Sequence, residues 1–268
     1  ALRALRNMES CCQAVKAWMH RNKLKQNDQK TEALVCGPHK RREKLPANSI
    51  KVGDADIPFS ESVRSLGVVL DAEMSFKNQV SATVSACNYH LRRIGRVRRC
   101  MTMSAANSAA VALVQSKLDY CNSLMYGVNK TQIKRLQVAQ NSAVRLVTRT
   151  KKRDHISPVL RQLHWLKVEK RVQHKLLTIT HQAIQKTGPA YLSDVISEYV
   201  PKRELRSSSQ MLLRIPSVKE AQKKTFGERS FSFTGPKLWE PIPLELKRSE
   251  SKSLFKSRLK THLFRTQK

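Results

Sequence analysis

The sequence predicts an α+β chain that is mostly helical: a small sheet region with one helix over 1–72, then helices to the end. Up to residue 72, short β-branched runs are punctuated by Gly, Asp and Pro, the pattern of strands and tight turns. From Ser75 onward, apolar residues recur every three or four positions, the period of a buried helical face. The chain is 40% hydrophobic, enough to bury cores, which argues against disorder.

Taken in order, Leu2, Leu5, Met8, Cys12, Val15 and Met19 predict one helix over 2–20. A polar turn follows from Asn22 to Asp28. Thr31 to Cys36 reads as a strand, and 38–46 as a basic loop. Short strands at 49–52 and 56–59 flank Gly53-Asp54, and 63–70 is the strongest single strand of the chain. Phe76, Val80, Val84, Cys87, Leu91 and Ile94 mark one face of a helix running to about Arg99. Ser104 is expected to cap a second helix reaching Leu118, and Thr131 a third with Ile133, Leu136, Ala139, Val144 and Val147 inward. Ser157-Pro158 opens a short helix ending near Leu166. Val168, Val172, Leu176, Ile179 and Ile184 mark a long helix stopped by Gly188-Pro189. The stretch 199–217, with two prolines and Ser207 to Ser209, reads as a linker or loop. The run from Phe226 to Leu246 is broken at Gly235-Pro236, Pro241 and Pro243. A final basic helix spans about 251–264, with Leu254, Leu259 and Leu263 on one side. Three regions are expected: 1–72, 73–150 and 151–268.

Charge narrows the partner. Lys and Arg number 51 against 20 acids, a formal +31. Self-repulsion of that size favours a polyanionic partner, and nucleic acid leads because each neutralised phosphate releases a counterion. An anionic membrane is the alternative, although no stretch of about 18 apolar residues would span one. No secretory signal opens the chain, which starts Ala1-Leu2-Arg3 inside a helical pattern and reads as an entry point within something larger. The six cysteines form no CxxC pair, which disfavours a zinc finger. They are expected to be reduced, mostly core thiols of an intracellular protein in the nucleus or cytoplasm.

Three basic clusters are candidates for phosphate contact. In the first, Arg92, Arg93, Arg96, Arg98 and Arg99 crowd the end of a helix with no acid among them. Guanidinium groups hold phosphates bidentately without reading sequence. The second is Arg145, Arg149, Lys151, Lys152 and Arg153, at a helix C-terminus where cations are stabilising in themselves. The third is Lys252, Lys256, Arg258, Lys260 and Arg265. A solvated basic face is the plain alternative for each. Signs of catalysis are weak. His39, His155, His164, His174 and His181 stand near Lys or Arg without a paired acid, and read as surface or capping residues. Asp54-x-Asp56 has the look of a metal pair but sits where turn aspartates belong. Trp18, Trp165 and Trp239 lie beside apolar residues and are expected to be core rather than base-stacking platforms. No catalytic residue, metal ligand or cofactor is assigned.

The order of motifs resembles one family. Cys11-Cys12 through Trp18-Met19, then Asn22, Leu24, Lys25, Asn27, Lys30, Thr31 and Glu32, resemble the segment after the catalytic loop in reverse transcriptases of CR1/L2/Rex-like non-LTR (LINE-type) retrotransposons. Val63-Arg64-Ser65-Leu66-Gly67-Val68 resembles the Leu-Gly hairpin that supports the primer end there. Leu118 to Leu124 (LDYCNSL) and Leu136-Gln137-x-x-Gln140-Asn141-x-Ala143 are similar to the thumb region. Leu160 through Leu163-His164-Trp165-Leu166, Gly227-Glu228-Arg229-Ser230-Phe231, Pro236-Lys237-Leu238-Trp239 and the 255–264 helix resemble the C-terminal region. The resemblance implies a partial palm over 1–72, a helical thumb over 73–150 and a basic C-terminal region over 151–268. It implies RNA, RNA–DNA or DNA duplex as partner, with Leu66 and Gly67 at a primer-grip-like turn. An N-terminal polymerase half would be a further partner. These polymerases hold Mg2+ on a Tyr/Phe-x-Asp-Asp strand and one further Asp. No Tyr/Phe-x-Asp-Asp occurs in this sequence, so no polymerase chemistry is carried over. Two other readings stay open: a domesticated scaffold that binds protein, and a non-functional transposon relic.

Overall fold

The computed structural model describes residues 2–53, 55–201, 210–217 and 227–267, apart from the side chains of Leu2 and Asp28. Asp54, Ser207 to Ser209 and Phe226, named above, lie outside the described residues. Two compact units divide the chain, Ala1–Gln79 and Val80–Lys268. The architecture is α+β and mostly helical, with four short strands.

In the first unit, α1 (Leu2–Arg21) packs on a hairpin of β1 (Ser49–Val52) and β2 (Ala55–Pro58). Period-two patterning puts Ile50, Val52 and Ile57 on one face, and Cys12 of α1 covers them. The apolar face of α1 is only partly covered: Met8 and Val15 are exposed, and Trp18 is 54% exposed rather than core. Cys12 reaches the hairpin, but Trp18 lies more than one helical turn beyond it. Thr31 to Cys36 is not a ladder strand. One parallel bridge, Ala33 to Phe59, is its pairing, and the Ala33 carbonyl accepts from the Ser60 amide at 2.8 Å. A four-residue helix, α2 (His39–Arg42), interrupts the basic loop. Arg42 pairs there with Glu61 at 2.7 Å.

The run 63–70 is not one strand. It folds into a second hairpin, β3 (Ser62–Ser65) and β4 (Val68–Asp71), reversing at Leu66-Gly67. Positive φ at both turn residues, 47° and 82°, is the two-residue geometry that matches strand twist. Both carboxylate oxygens of Asp71 then hold the turn that leads into the next helix, accepting from the Ser75 and Phe76 amides at 2.8 and 2.7 Å.

That helix, α3 (Lys77–Val97), buries Val80, Cys87, Leu91 and Ile94 as its spacing predicts, while Val84 is only half-buried and the buried Phe76 stands just before the first turn. The following helix starts earlier than expected. Thr102 rather than Ser104 caps α4 (Met103–Ala110), accepting from the Ala105 amide. It runs through a π-helical stretch, Val111–Gln115, into α5 (Ser116–Asp119). Likewise Asn129 rather than Thr131 caps α6 (Lys130–Thr148). In both helices the cap is the residue with extended φ/ψ, and the hydroxyl two residues on is already helical. A short α7 (Ile156–Gln162) and a turn lead to α8 (Val168–Ile184), which contacts α6.

After α9 (Ala190–Asp194), the described part of 199–217 is loop, as expected, but anchored at one point. Leu213 is buried, Glu198 bridges Leu213, and the Met211 carbonyl accepts from the Trp239 indole at 2.9 Å. The apolar triplet Met211-Leu212-Leu213 holds it there. Helix α10 (Phe231–Trp239) passes through Gly235-Pro236 without breaking. Proline's fixed φ suits a helix and costs one donor, and α10 is held against α8. A short α11 (Leu244–Lys247) precedes α12 (Lys252–Arg265), capped by Ser251. On α12 the buried residues are Phe255, Leu259 and Leu263, while Leu254 is exposed. With Leu166, Leu177, Trp239 and Ile242 they form the core. Trp165 and Trp239 are buried as expected. His181 is not a surface residue: it is 2% exposed, stacked on Phe255 at 4.2 Å, and bonded through Nε2 to the Ser249 carbonyl at 2.9 Å.

The six cysteines are free, but Cys87 alone is buried; Cys11, Cys36 and Cys100 are exposed. Burial pushes the Cys87 thiol up to about 11. No helix among the described residues is long and apolar enough to cross a membrane.

Candidate nucleic-acid interface

The first two basic clusters lie some fifty residues apart in sequence and meet in space. Arg98 joins them. It sits in a short 3-10 turn (Arg98–Cys100) after α3, and its guanidinium reaches the C-terminal end of α6. Its Nε donates to the Leu146 carbonyl at 2.9 Å, Nη2 to Val147 at 2.6 Å and Nη1 to Met101 at 2.8 Å. The last carbonyls of a helix have no partner within it and carry the negative end of its dipole. In return, Arg149 caps α6 in the left-handed conformation and donates to the Arg98 carbonyl at 3.3 Å.

This corrects one expected contact. Arg98 is 8% exposed and its three nitrogens hold protein carbonyls. It positions the surface rather than lying on it. Arg92, Arg93, Arg96 and Arg99 are exposed, and among the described residues none pairs with a carboxylate. Lys151, Lys152 and Arg153 are exposed as well. Arg145 shapes their loop by donating to the carbonyls of Lys151, Lys152 and Asp154 at 3.3 to 3.4 Å. Asp154 closes it by accepting from the Lys151 amide at 3.0 Å. With Arg149, eight exposed cations thus flank the joint made by Arg98 and Arg149.

Sequence reading missed Tyr89. It is exposed on α3, and Arg93 lies over its ring at 5.6 Å with Nη1 to the hydroxyl at 3.4 Å. The i, i+4 spacing was the available signal. A tyrosine beside arginines offers a stacking surface next to phosphate contacts.

The third cluster lies on α12, where Lys252, Lys256, Arg258, Lys260 and Arg265 are exposed. Burial and the nearby Arg171 push the Lys260 ammonium down. Leu66 and Gly67 form a turn of the first unit, where Leu66 is 89% exposed. Among the described residues no group of three or more His, Cys, Asp or Glu gathers as metal ligands do.

Several motifs prove to be joints of the fold. In the stretch 118–124, Asp119 accepts from Arg171 of α8, with Nε at 2.7 Å and Nη2 on the second oxygen, and from Asn122 at 3.3 Å. Gln140 is fully buried and donates to the Leu166 carbonyl at 2.9 Å. Gln137 donates to Gln140 and Asn141 and accepts from the Val168 amide at 2.9 Å. Those residues clamp the turn that launches α8.

No family model, curated protein or solved structure matches the chain.

Proposed function

We propose that this chain is a nucleic-acid grip of the kind found behind the catalytic loop of non-LTR retrotransposon reverse transcriptases. On this reading it holds RNA, RNA–DNA or DNA duplex by its phosphates. One observation carries the reading: two arginine-rich clusters, distant in sequence, are fastened together through Arg98 and Arg149 with their remaining cations outward. Exposed guanidinium groups without acid partners are the groups that counterion release rewards. Arg92, Arg93, Arg96, Arg99, Arg149, Lys151, Lys152 and Arg153 contact backbone, which fixes position without reading sequence.

Leu66 and Gly67 serve a duplex end as a primer-grip-like turn. The first unit also presents an apolar groove of about 470 Å³ between α1, residues 31–36 and the first hairpin. A polymerase half supplying further strands fits there as partner. The sequence has no Tyr/Phe-x-Asp-Asp, so no nucleotide-transfer step and no Mg2+ are assigned to these residues. The place of action is inside the cell, where the element's RNA is met.

Affinity for an RNA–DNA duplex, measured across a salt series, tests the reading. The expected log–log slope is about −4 or steeper, at about −0.9 per phosphate engaged. An affinity independent of salt would overturn it.

A further inference from the structure

The two C-terminal motifs around Arg229 and Lys237 are not used by the arginine surface. They line a cleft of about 870 Å³ at the other end of α6. Its walls are the start of α6 (Lys130, Lys134), the start of α8 (Lys167, Glu169) and the 228–237 segment. Its floor is apolar, with Met125, Val128 and Val172 buried. Five cations, Lys130, Lys134, Lys167, Arg229 and Lys237, face two carboxylates, Glu169 and Glu228.

Two features mark the cleft as built. Arg229 is seated at its edge, with Nε donating to the Tyr126 carbonyl at 3.2 Å. The side chain lies across Gly127, where an added Cβ would stand 2.8 Å from Arg229 Cγ and φ is +69°. Gly127 is what lets the arginine stem cross the turn. The lysines are also placed against the field of their own helices. Lys130 is the first residue of α6, whose first turn holds no acid; Lys167, the N-cap of α8, has Glu169 in the turn it opens. Helix N-termini carry partial positive charge, so cations there cost stability until an anion arrives.

We propose that this cleft is a second nucleic-acid subsite that takes a single strand, its bases on the apolar floor beside Tyr126 and its phosphates on the lysines and Arg229. It rests on the nucleic-acid reading above and divides the labour: duplex at the arginine surface, unpaired strand in the cleft. A cleft of this volume excludes a duplex, while cations around an apolar and aromatic floor are what single strands use. The two sites stand at opposite ends of a 19-residue helix, about 27 Å apart at 1.5 Å per residue.

Fluorescence anisotropy on the full chain, with an oligo(U) strand and a blunt RNA–DNA duplex as probes, tests this. Lys130→Glu with Lys134→Glu is expected to weaken oligo(U) about tenfold and leave the duplex within about twofold. Arg92→Glu with Arg96→Glu is expected to do the reverse. An acid at the start of α6 favours the helix, so the cleft variant keeps its fold, which its thermal transition checks. If the cleft variant weakens both probes equally, or neither, the cleft is not a subsite. In that case the arginine variant still reports on the grip. If wild-type chain binds neither probe at low salt, both readings fall.

Discussion

The guanidinium of Arg98 donates to the carbonyl of Val147 at 2.6 Å, forty-nine residues away. Together with its bonds to Leu146 and Met101, this makes one arginine the joint between the end of α3 and the end of α6. Removing it leaves three carbonyls without their donor in a place that water reaches poorly. Arg98→Ala is therefore expected to cost about 2–4 kcal/mol of stability, and Arg98→Lys nearly as much because an ammonium lacks the fork. Arg99→Ala, one residue on and exposed, should stay within about 0.5 kcal/mol. Urea unfolding of the three variants decides it, and equal stability for Arg98→Ala and Arg99→Ala would remove Arg98 from this role.

Leu66 breaks two local rules at once. It holds φ +47° and exposes 89% of its surface at the tip of the β3–β4 hairpin. A branched side chain in the left-handed region costs about 1 kcal/mol, and Asn is the residue suited to that turn position. Leu66→Asn should stabilise the chain by about 0.5–1 kcal/mol. If the leucine meets a primer end, the same change should weaken a duplex with a recessed 3′ end more than a blunt one. Stabilisation without any change in that ratio would reduce the tip to an ordinary turn.

What the sequence made legible depended on how local the cause was. Val80, Cys87, Leu91 and Ile94 of α3 were readable because a helical face repeats in the chain itself. The burial of Arg98 was not, because its acceptors are supplied by Leu146 and Val147, and no local pattern separates it from Arg96 or Arg99. The hairpin at Leu66-Gly67 did not follow from patterning, because the β-branched and apolar run from Val63 to Leu70 passes for one strand; only the family resemblance named a Leu-Gly hairpin there, and the break rests on two dihedrals. Caps erred by two residues wherever two candidates stood close, as with Asn129 and Thr131. Histidine burial was missed at His181 because its partners, Phe255 and Ser249, come from beyond residue 240. The basic clusters were legible as charge; their convergence was not.

Gln140 offers a test of the joint that launches α8. Its side chain is fully buried, donates to the Leu166 carbonyl and accepts from Gln137. Gln140→Leu keeps the volume and strands both partners, which should cost about 2 kcal/mol. Because Gln137 also holds the Val168 amide, adding Gln137→Ala should cost less than the sum of the single changes. Full additivity in a thermal or urea double-mutant cycle would show that the glutamines act separately.

His174 carries a pH dependence whose sign is fixed by its surroundings. Burial lowers its pKa from the ordinary 6.5, and the nearby Lys256, Arg171 and Lys260 push the same way, against a ring contact from Nε2 to the Lys256 carbonyl at 3.2 Å. His262 on α12 is lowered by burial, Lys170 and Arg265. A base with a depressed folded pKa stays neutral in the fold while the unfolded chain takes up the proton. Stability from these groups is thus fully present above about pH 6.5 and is lost as pH falls from there through the folded values. Unfolding free energy should therefore drop between about pH 7.5 and 5.5, above the range where most carboxylates titrate. His174→Gln, which retains a donor toward the Lys256 carbonyl, should flatten that slope, and His174→Gln with His262→Gln should flatten it further. A slope identical to that of the unmodified chain would show that neither histidine is neutral because of where it is packed.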